Sequence, residues 1–367
     1  MPLLKSYVTW NNKGGVGKTM LTFHMATQYA LTHPSENVLV IDLCPQANVS
    51  STLLRGTENV ARLTSESKTV SFYLHQVSNS YDLSTVNLQA FLTQVSNFNH
   101  QIPKNVQLLC GDIHLETVAH SLEQKRNANA ADDSAWVFVT SSVRYFIEGH
   151  SISEHDFTPG VACQPEDIKE WVVFIDTNPS FSVYTEIALL AAQRLIIPVN
   201  ADDFSREALK SLLHLIYGIA EAELPPEFKL YDHKLTFSYK CKTNGLRLPL
   251  IYLLIHNRAT RYSTRSAEAF SQLSKSSYDA LQCAFKSNFE CFAPKPPGPG
   301  LHVDQYFVDI FDFHTDGIVA LHHGCPLANL TNHFSLRHVS FLYGPVALSR
   351  PQIDSHLQCL NNLIAML

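Results

Sequence analysis

A short run of β-branched and aromatic residues, Ser6 to Trp10, leads directly into Asn11-Asn12-Lys13-Gly14-Gly15-Val16-Gly17-Lys18-Thr19, and apolar residues then recur at helical spacing at Leu21, Met25, Ala26 and Tyr29. The order strand, glycine loop, helix is the one a phosphate-binding loop requires. Glycines let the backbone curl until successive N–H groups face one anion, and the helix N-terminus adds its dipole. In such a loop Lys18 reaches the β- and γ-phosphates and the Thr19 hydroxyl can ligate Mg²⁺. The pattern G-x-x-x-x-G-K-[ST] is missing its first glycine, where Asn12 stands. Lys13 leaves the strand before the loop closes, so the spacing alone makes it a cation near phosphate.

Further apolar runs predict strands at Val38 to Asp42, Val106 to Cys110, Trp171 to Asp176, Leu195 to Val199 and Ile251 to Ile255. Helical patterns alternate with them. The fold class expected is α/β, a doubly wound, mainly parallel sheet flanked by helices. At 367 residues with 45% apolar content, the chain has ample material for a buried core. The expected organisation is a core over 1–292 with insertions near 111–170 and 224–250, a Pro/Gly-rich excursion at 293–300 ("APKPPGPG"), and a segment 301–367 packed on the core. The first insertion holds a predicted helix, Ala131 to Phe146, and in the second Asn244-Gly245 invites a hairpin turn.

The loop Lys13-Gly14-Gly15-Val16-Gly17-Lys18-Thr19 resembles the K-G-G-x-G-K-[ST] loop of the deviant Walker A ATPases, the ParA/MinD family. "VLVIDLCPQ" at 38–46 is similar to that family's D-x-D-P-Q segment and "WVVFIDTNP" at 171–179 to its D-T-x-P segment. "RLIIPVNADDFSREAL", "IYLLIHNRATR" and "DGIVALHHGCPLANL" resemble its later strands and last motif, so coverage is discontinuous but nearly full length. Membership in its ParA branch implies ATP and Mg²⁺ as ligands and a nucleotide contact made by Lys13, Gly14, Gly15, Val16, Gly17, Lys18, Thr19 and Met20. It implies adenine contacts from Pro198, Asn257 and Arg258, and metal ligation by Thr19, Asp42 and Asp176. The resemblance gives Lys13 a role across the interface of an ATP-sandwich homodimer, with catalysis shared among Lys13, Lys18, Asp42 and the position of Cys44. It further implies a ParB-like or other activating protein as partner.

Two positions depart from that pattern. Cys44 replaces the second carboxylate of D-x-D-P-Q, which in the family orients the attacking water, and a thiol is a poor acceptor without charge. Hydrolysis should therefore be slow. Met20 stands where threonine is common, which removes a hydroxyl near the α-phosphate. No N-K-x-D arrangement calls for guanine.

A net charge of −6 excludes a generally basic, nucleic-acid-coating surface. Lys229 to Arg265, however, carries eight Lys/Arg against one acid, Asp232, and Arg258, Arg261 and Arg265 would share a face if "NRATRYSTR" were helical. They are the candidate contacts to DNA phosphates. No apolar run is long enough to span a membrane and no basic-then-apolar leader opens the chain, so a cytoplasmic protein is expected, nucleoid-associated if it binds DNA. The amphipathic stripe Ile353, Leu357, Leu360, Ile364, Leu367 has no Lys or Arg after Arg350, which favours docking on the core over a membrane surface. Eight cysteines without any C-x-x-C read as buried thiols, and His322, His323 and Cys325 lack a second ligand pair. Two functions are compatible with these features: a partitioning or positioning ATPase with non-specific DNA binding, or a hydrolysis-impaired, nucleotide-locked dimer that scaffolds a partner protein.

Overall fold

The apolar runs become parallel strands because they alternate between two buried faces. In the computed structural model, which describes residues 3–80, 85–86, 88–126, 133–153, 170–200, 205–219, 236–258, 264–295, 302–311, 313–330, 338–340, 344–346 and 348–367, these strands are β1 (Leu3–Thr9), β2 (Asn37–Leu43), β3 (Leu92–Gln94), β4 (Val106–Leu109), β5 (Trp171–Thr177), β6 (Arg194–Asn200), β7 (Leu250–Arg258) and β8 (Phe307–Phe311). They form one sheet in the order β3-β4-β2-β5-β1-β6-β7-β8, parallel except for the antiparallel edge strand β3. Trp171, Val173 and Ile175 of β5 pack into one apolar cluster while Val172 and Phe174 pack into the other. A strand buried on both sides can be uniformly apolar, which is why these six runs were legible.

One face is covered by the helix Lys18–Thr32 and the C-terminal helix Arg350–Ile364, whose Ile353, Leu360, Leu363 and Ile364 are buried there. Gln28 Nε2 donates to Asn361 Oδ1 at 2.7 Å between the two helices. The other face is covered by Val70–Asn79, Leu115–Arg126, Ser134–Thr140, Ser142–Ser153, Val183–Ala191 and Ser205–Tyr217. Among the described residues no helix is long and apolar enough to cross a membrane.

Several expectations are corrected. The helix predicted over 131–146 is two helices, Ser134–Thr140 and Ser142–Ser153, with a turn at Ser141. Asn244-Gly245 does not turn a hairpin. It ends the helix Phe237–Thr243, with Gly245 at φ 66° and the Leu246 N–H returning to the Cys241 carbonyl at 2.8 Å, a left-handed helix stop. Strand β8 comes from the 301–367 segment and lies in the main sheet beside β7. Its Asp309 hides it from pattern reading, yet that carboxylate is satisfied by Ser274 Oγ at 3.0 Å and faces His256 Nδ1 at 2.8 Å. Cys44, Cys110, Cys241, Cys291 and Cys325 are buried thiols.

Candidate nucleotide site

β1 lies in the middle of the sheet, and the chain leaves it first toward β2 and later, through β6, toward the opposite edge. Loops at the C-terminal ends of neighbouring strands diverge at such a switch point and leave a crevice. The glycine loop opens there. Gly15 and Gly17 hold φ of 73° and 89°, a region that glycine occupies without strain. A Cβ on Gly17 would also lie 2.7 Å from Asn257 Nδ2. Gly14 and Gly15 are exposed, and Val16 is buried with its carbonyl accepting from Asn257 Nδ2 at 3.3 Å.

Lys18 is buried, and its ammonium donates to the carbonyls of Asn11 at 3.0 Å and Lys13 at 2.8 Å. Burial pulls its pKa below the ordinary lysine value, with Asp176 opposing that shift. The cation is thus held inside the ring of the loop, beside exposed glycine backbone. Thr19 Oγ1 donates to Asp176 Oδ2 at 2.8 Å, and Thr22 Oγ1 approaches Asp176 Oδ1 at 3.4 Å. Thr177 Oγ1 donates to the Thr9 carbonyl at 2.6 Å, joining the ends of β5 and β1.

Asp42 and Asp176 are fully buried, and burial raises the pKa of both carboxyls; the charge of Asp112 adds to the rise at Asp42, and that of Asp42 to the rise at Asp176. Their surroundings differ. Asp42 accepts from the Cys44 N–H at 3.0 Å, the Ser50 N–H at 3.0 Å and Ser50 Oγ at 2.7 Å, so it fastens the loop from Cys44 to Asn48 and the start of the next helix. Asp176 accepts from the hydroxyls of Thr19 and Thr22 and has a backbone bond from Thr177. Cys44 is buried, its thiol pushed up to about 12 first by burial and then by Asp42 and Asp176, so it stands as a neutral group.

On the other side of the loop, Asn200 Nδ2 donates to the Gly15 carbonyl at 3.3 Å and the Pro198 carbonyl accepts from Asn11 Nδ2 at 2.7 Å. Asn257 is paired in register with Asn200, and its Oδ1 is buried with no hydrogen-bond partner among the described residues. Met20 packs between Gly17 and Gly317, within 3.4 and 3.6 Å of where their Cβ atoms would be. The fold therefore brings Lys13, Gly14, Gly15, Val16, Gly17, Lys18, Thr19, Met20, Asp42, Cys44, Asp176, Pro198 and Asn257 to one end of the sheet.

The three arginines are not on one helix. Arg258 is the last residue of β7, paired with Phe311 of β8, and Arg265 lies in the first turn of the helix Thr264–Ser287. Arg261 is outside the described residues. The β7 ladder to β8 extends the strand past the point where a helix had been expected.

Sequence reasoning missed Asn11 and Ser50. Asn11 binds Pro198 through its amide and the Lys13 N–H at 3.0 Å through its Oδ1, so it sets the entry of the loop. An Asn directly before a glycine loop is a usable signal, since its side chain readily bonds backbone two residues on. Ser50, eight residues past Asp42, carries no local signal.

A family model described as AAA domain (AAA_31) matches residues 5–134 and 168–229. An uncharacterized protein of Pseudomonas putida is 26% identical over 249 residues, 64% of this chain and 73% of that one. The fold is similar to that of apo McdA from Cyanothece, with a TM-score of 0.52 at 16% identity over 97% of this chain and 99% of that one. It is also similar to an ATP complex of Cyanothece McdA, with a TM-score of 0.56 at 14% identity over 100% and 98% of the two chains.

Proposed function

This chain belongs to the AAA-domain family matched above, the ParA/MinD-type P-loop ATPases, and from that premise we propose that it binds Mg-ATP and uses it as a switch between monomer and homodimer. The observation that carries this reading is the Lys18 ammonium held on two loop carbonyls beside the Thr19–Asp176 pair. A phosphate chain offers that ammonium stronger, charged acceptors than the carbonyls it now uses. Gly14, Gly15, Val16, Gly17 and Met20 line the phosphate path, and Pro198, Asn257 and Arg258 border the base.

The residues fit a magnesium ion: Thr19 and Asp176 offer a hydroxyl and a carboxylate, hard oxygen donors, in one place. When bound there, magnesium supplies counter-charge to the phosphate oxygens. Asp42, in register with Asp176, completes the carboxylates of the proposed metal site and also fixes the loop that carries Cys44. Lys13 belongs to the second subunit's nucleotide, where its charge relieves the meeting of two triphosphates. With Cys44 neutral and a weak acceptor, turnover is slow.

The output we favour is partitioning or positioning in the cytoplasm, with non-specific DNA binding through Arg258, Arg261 and Arg265 in the nucleotide-bound dimer and release by a ParB-like activator. Cys44 favours a second reading, a nucleotide-locked dimer that scaffolds a partner protein. We read residues 1–292 as the ATPase core with insertions near 111–170 and 224–250, 293–300, most of which lies outside the described residues, as an excursion, and 301–367 as a segment packed on the core. Calorimetry with ATP should give binding to the wild type and none to Lys18→Ala; equal affinity would sink the site. Oligomeric state with ADP, ATP, and ATP plus duplex DNA at low and high salt separates the two outputs, since phosphate contacts weaken steeply with salt.

A further inference from the structure

The turn that follows Asp176 is gripped by side chains of the two insertions as well as by the glycine-loop strand. β5 ends at Thr177, and residues Asn178 to Ser182 lead into the helix Val183–Ala191. On its polar side, Asn178 Nδ2 donates to Tyr184 Oη at 2.8 Å, and Tyr184 Oη donates to Glu116 of the helix Leu115–Arg126 at 3.2 Å. On its apolar side, the Phe181 ring stands edge to face against Trp10, the last residue before the glycine loop, at 5.6 Å. Phe181 meets Phe237 in the same manner at 5.6 Å, and Phe237 meets Trp136 at 6.2 Å.

This row of four rings crosses the molecule. Trp10 and Phe181 flank the nucleotide loop, whereas Phe237 and Trp136 come from the two insertions, 224–250 and 111–170, to which the proposed ATPase cycle gives no work. The insertions are also joined to one another. Asn244 Nδ2 donates to Asp133 Oδ2 at 2.9 Å, Lys240 lies 3.5 Å from Asp133, and the Lys240 ammonium sits over the Trp136 ring at 5.4 Å. The pair returns to the turn through the half-buried Glu186, which accepts from Trp136 Nε1 at 3.1 Å and Arg126 Nη1 at 2.8 Å.

The outer half of the row is therefore pinned by charge and hydrogen bonds, but the inner half is not. Trp10 Nε1 and Ser182 Oγ are buried and neither has a hydrogen-bond partner among the described residues. The Trp10–Phe181 contact rests on ring packing alone. A ring pair without a polar tether slides at low cost, while one anchored to a rigid unit moves only with that unit.

We propose that Phe237 is a positioning residue: with Trp136 it makes the two insertions one clamp on the Asn178–Ser182 turn, and thereby sets how that turn answers nucleotide at Asp176. The proposal rests on the nucleotide reading above. Phe237 touches neither nucleotide nor metal, so its loss should spare binding and weaken response. Such energetic coupling is typically worth a few-fold to about tenfold in an equilibrium or rate.

The test uses the full-length protein and Mg-ATP. A Trp136→Phe protein retains Trp10, beside the loop, and Trp171, buried in β5, as fluorophores. Mg-ATP is expected to change its emission, and Trp10→Phe should remove that change. In the Trp136→Phe background, Phe237→Ala is expected to cut the emission change to less than about a third and, in otherwise wild-type protein, to lower kcat about fivefold. The calorimetric Kd for ATP should stay within about threefold. An emission change and kcat equal to those of the parent in folded Phe237→Ala overturn the proposal. So does a wild type that binds ATP by calorimetry without any emission change. If Phe237→Ala does not fold, Phe237→Leu, which keeps apolar bulk but loses the ring edge, decides by the same two readouts in the same direction. Absence of ATP binding to the wild type overturns the site reading and this proposal with it, which calorimetry alone reveals.

Discussion

Asp42 and Asp176 face each other in register on the adjacent parallel strands β2 and β5, both without solvent exposure. Two carboxylates so placed repel, and among the described residues neither has a basic side chain hydrogen-bonded to it. The arrangement disfavours the empty site and favours a cation there. Asp176→Asn should therefore leave the melting temperature without ligand unchanged or higher. It should also abolish the added stability that Mg-ATP confers on the wild type, about 2.7 kcal/mol at a hundred times Kd. A thermal melt with and without Mg-ATP measures both. A variant stabilised by Mg-ATP as strongly as the wild type would remove Asp176 from the metal site.

Lys13 commits its backbone to the loop, with its N–H on Asn11 and its carbonyl on the Lys18 ammonium. Its side chain is thereby directed by a rigid turn. Lys13→Ala should bind ATP with affinity close to wild type yet sediment as a monomer with ATP at concentrations where the wild type dimerises. Normal dimerisation would leave Lys13 as an ordinary loop cation.

Cys44 occupies a loop already fastened to Asp42 through its N–H, so a carboxylate there would be well placed. Cys44→Asp should raise turnover on the order of a hundredfold, the typical worth of a positioned acid or base. Intact ATP should be recoverable from purified wild-type protein. If Cys44→Asp and Cys44→Ala both leave the rate unchanged, the position lies outside the catalytic shell.

His24 is fully buried between Phe23 and Phe313, with neither ring nitrogen partnered among the described residues and with His356, itself bonded to Asp316, nearby. Burial first, and His356 second, push its pKa from 6.5 to about 3. The unfolded chain takes up a proton below about 6.5 that the folded chain refuses until about 3. Stability is therefore complete above pH 6.5 and is lost as the pH falls toward 3, with a slope of up to ~1.4 kcal/mol per pH unit from this group. His24→Leu should flatten urea-unfolding stability between pH 6.5 and 4 without lowering it at pH 7. An unchanged pH profile would place the acid sensitivity elsewhere.

The phosphate loop, the six long strands and the family were legible because each depends on local rules. Glycine conformations, strand burial on two faces and the first turn of a helix are decided within a few residues; Lys18, Thr19 and Asp176 stand out by their place in the loop and at a strand's end, whereas spacing alone makes Lys13 only a cation near phosphate. What a hydrogen-bond ladder or a distant packing partner decides was not legible. "NRATRYSTR" has helical spacing, yet Arg258 is drawn into β7 by its pairing with Phe311, more than fifty residues on. Asn244-Gly245 has hairpin chemistry, yet the same left-handed glycine serves equally to stop a helix, and the buried Phe237 and Cys241 make it one. Ser50 earns its place only because β2 and the following helix bring it to Asp42. The ring row from Trp10 to Trp136 joins residues over a hundred positions apart, and no period or motif encodes it. Local chemistry determined that this chain holds a phosphate-binding loop, whereas only the long-range closure of the sheet decided which distant side chains surround it.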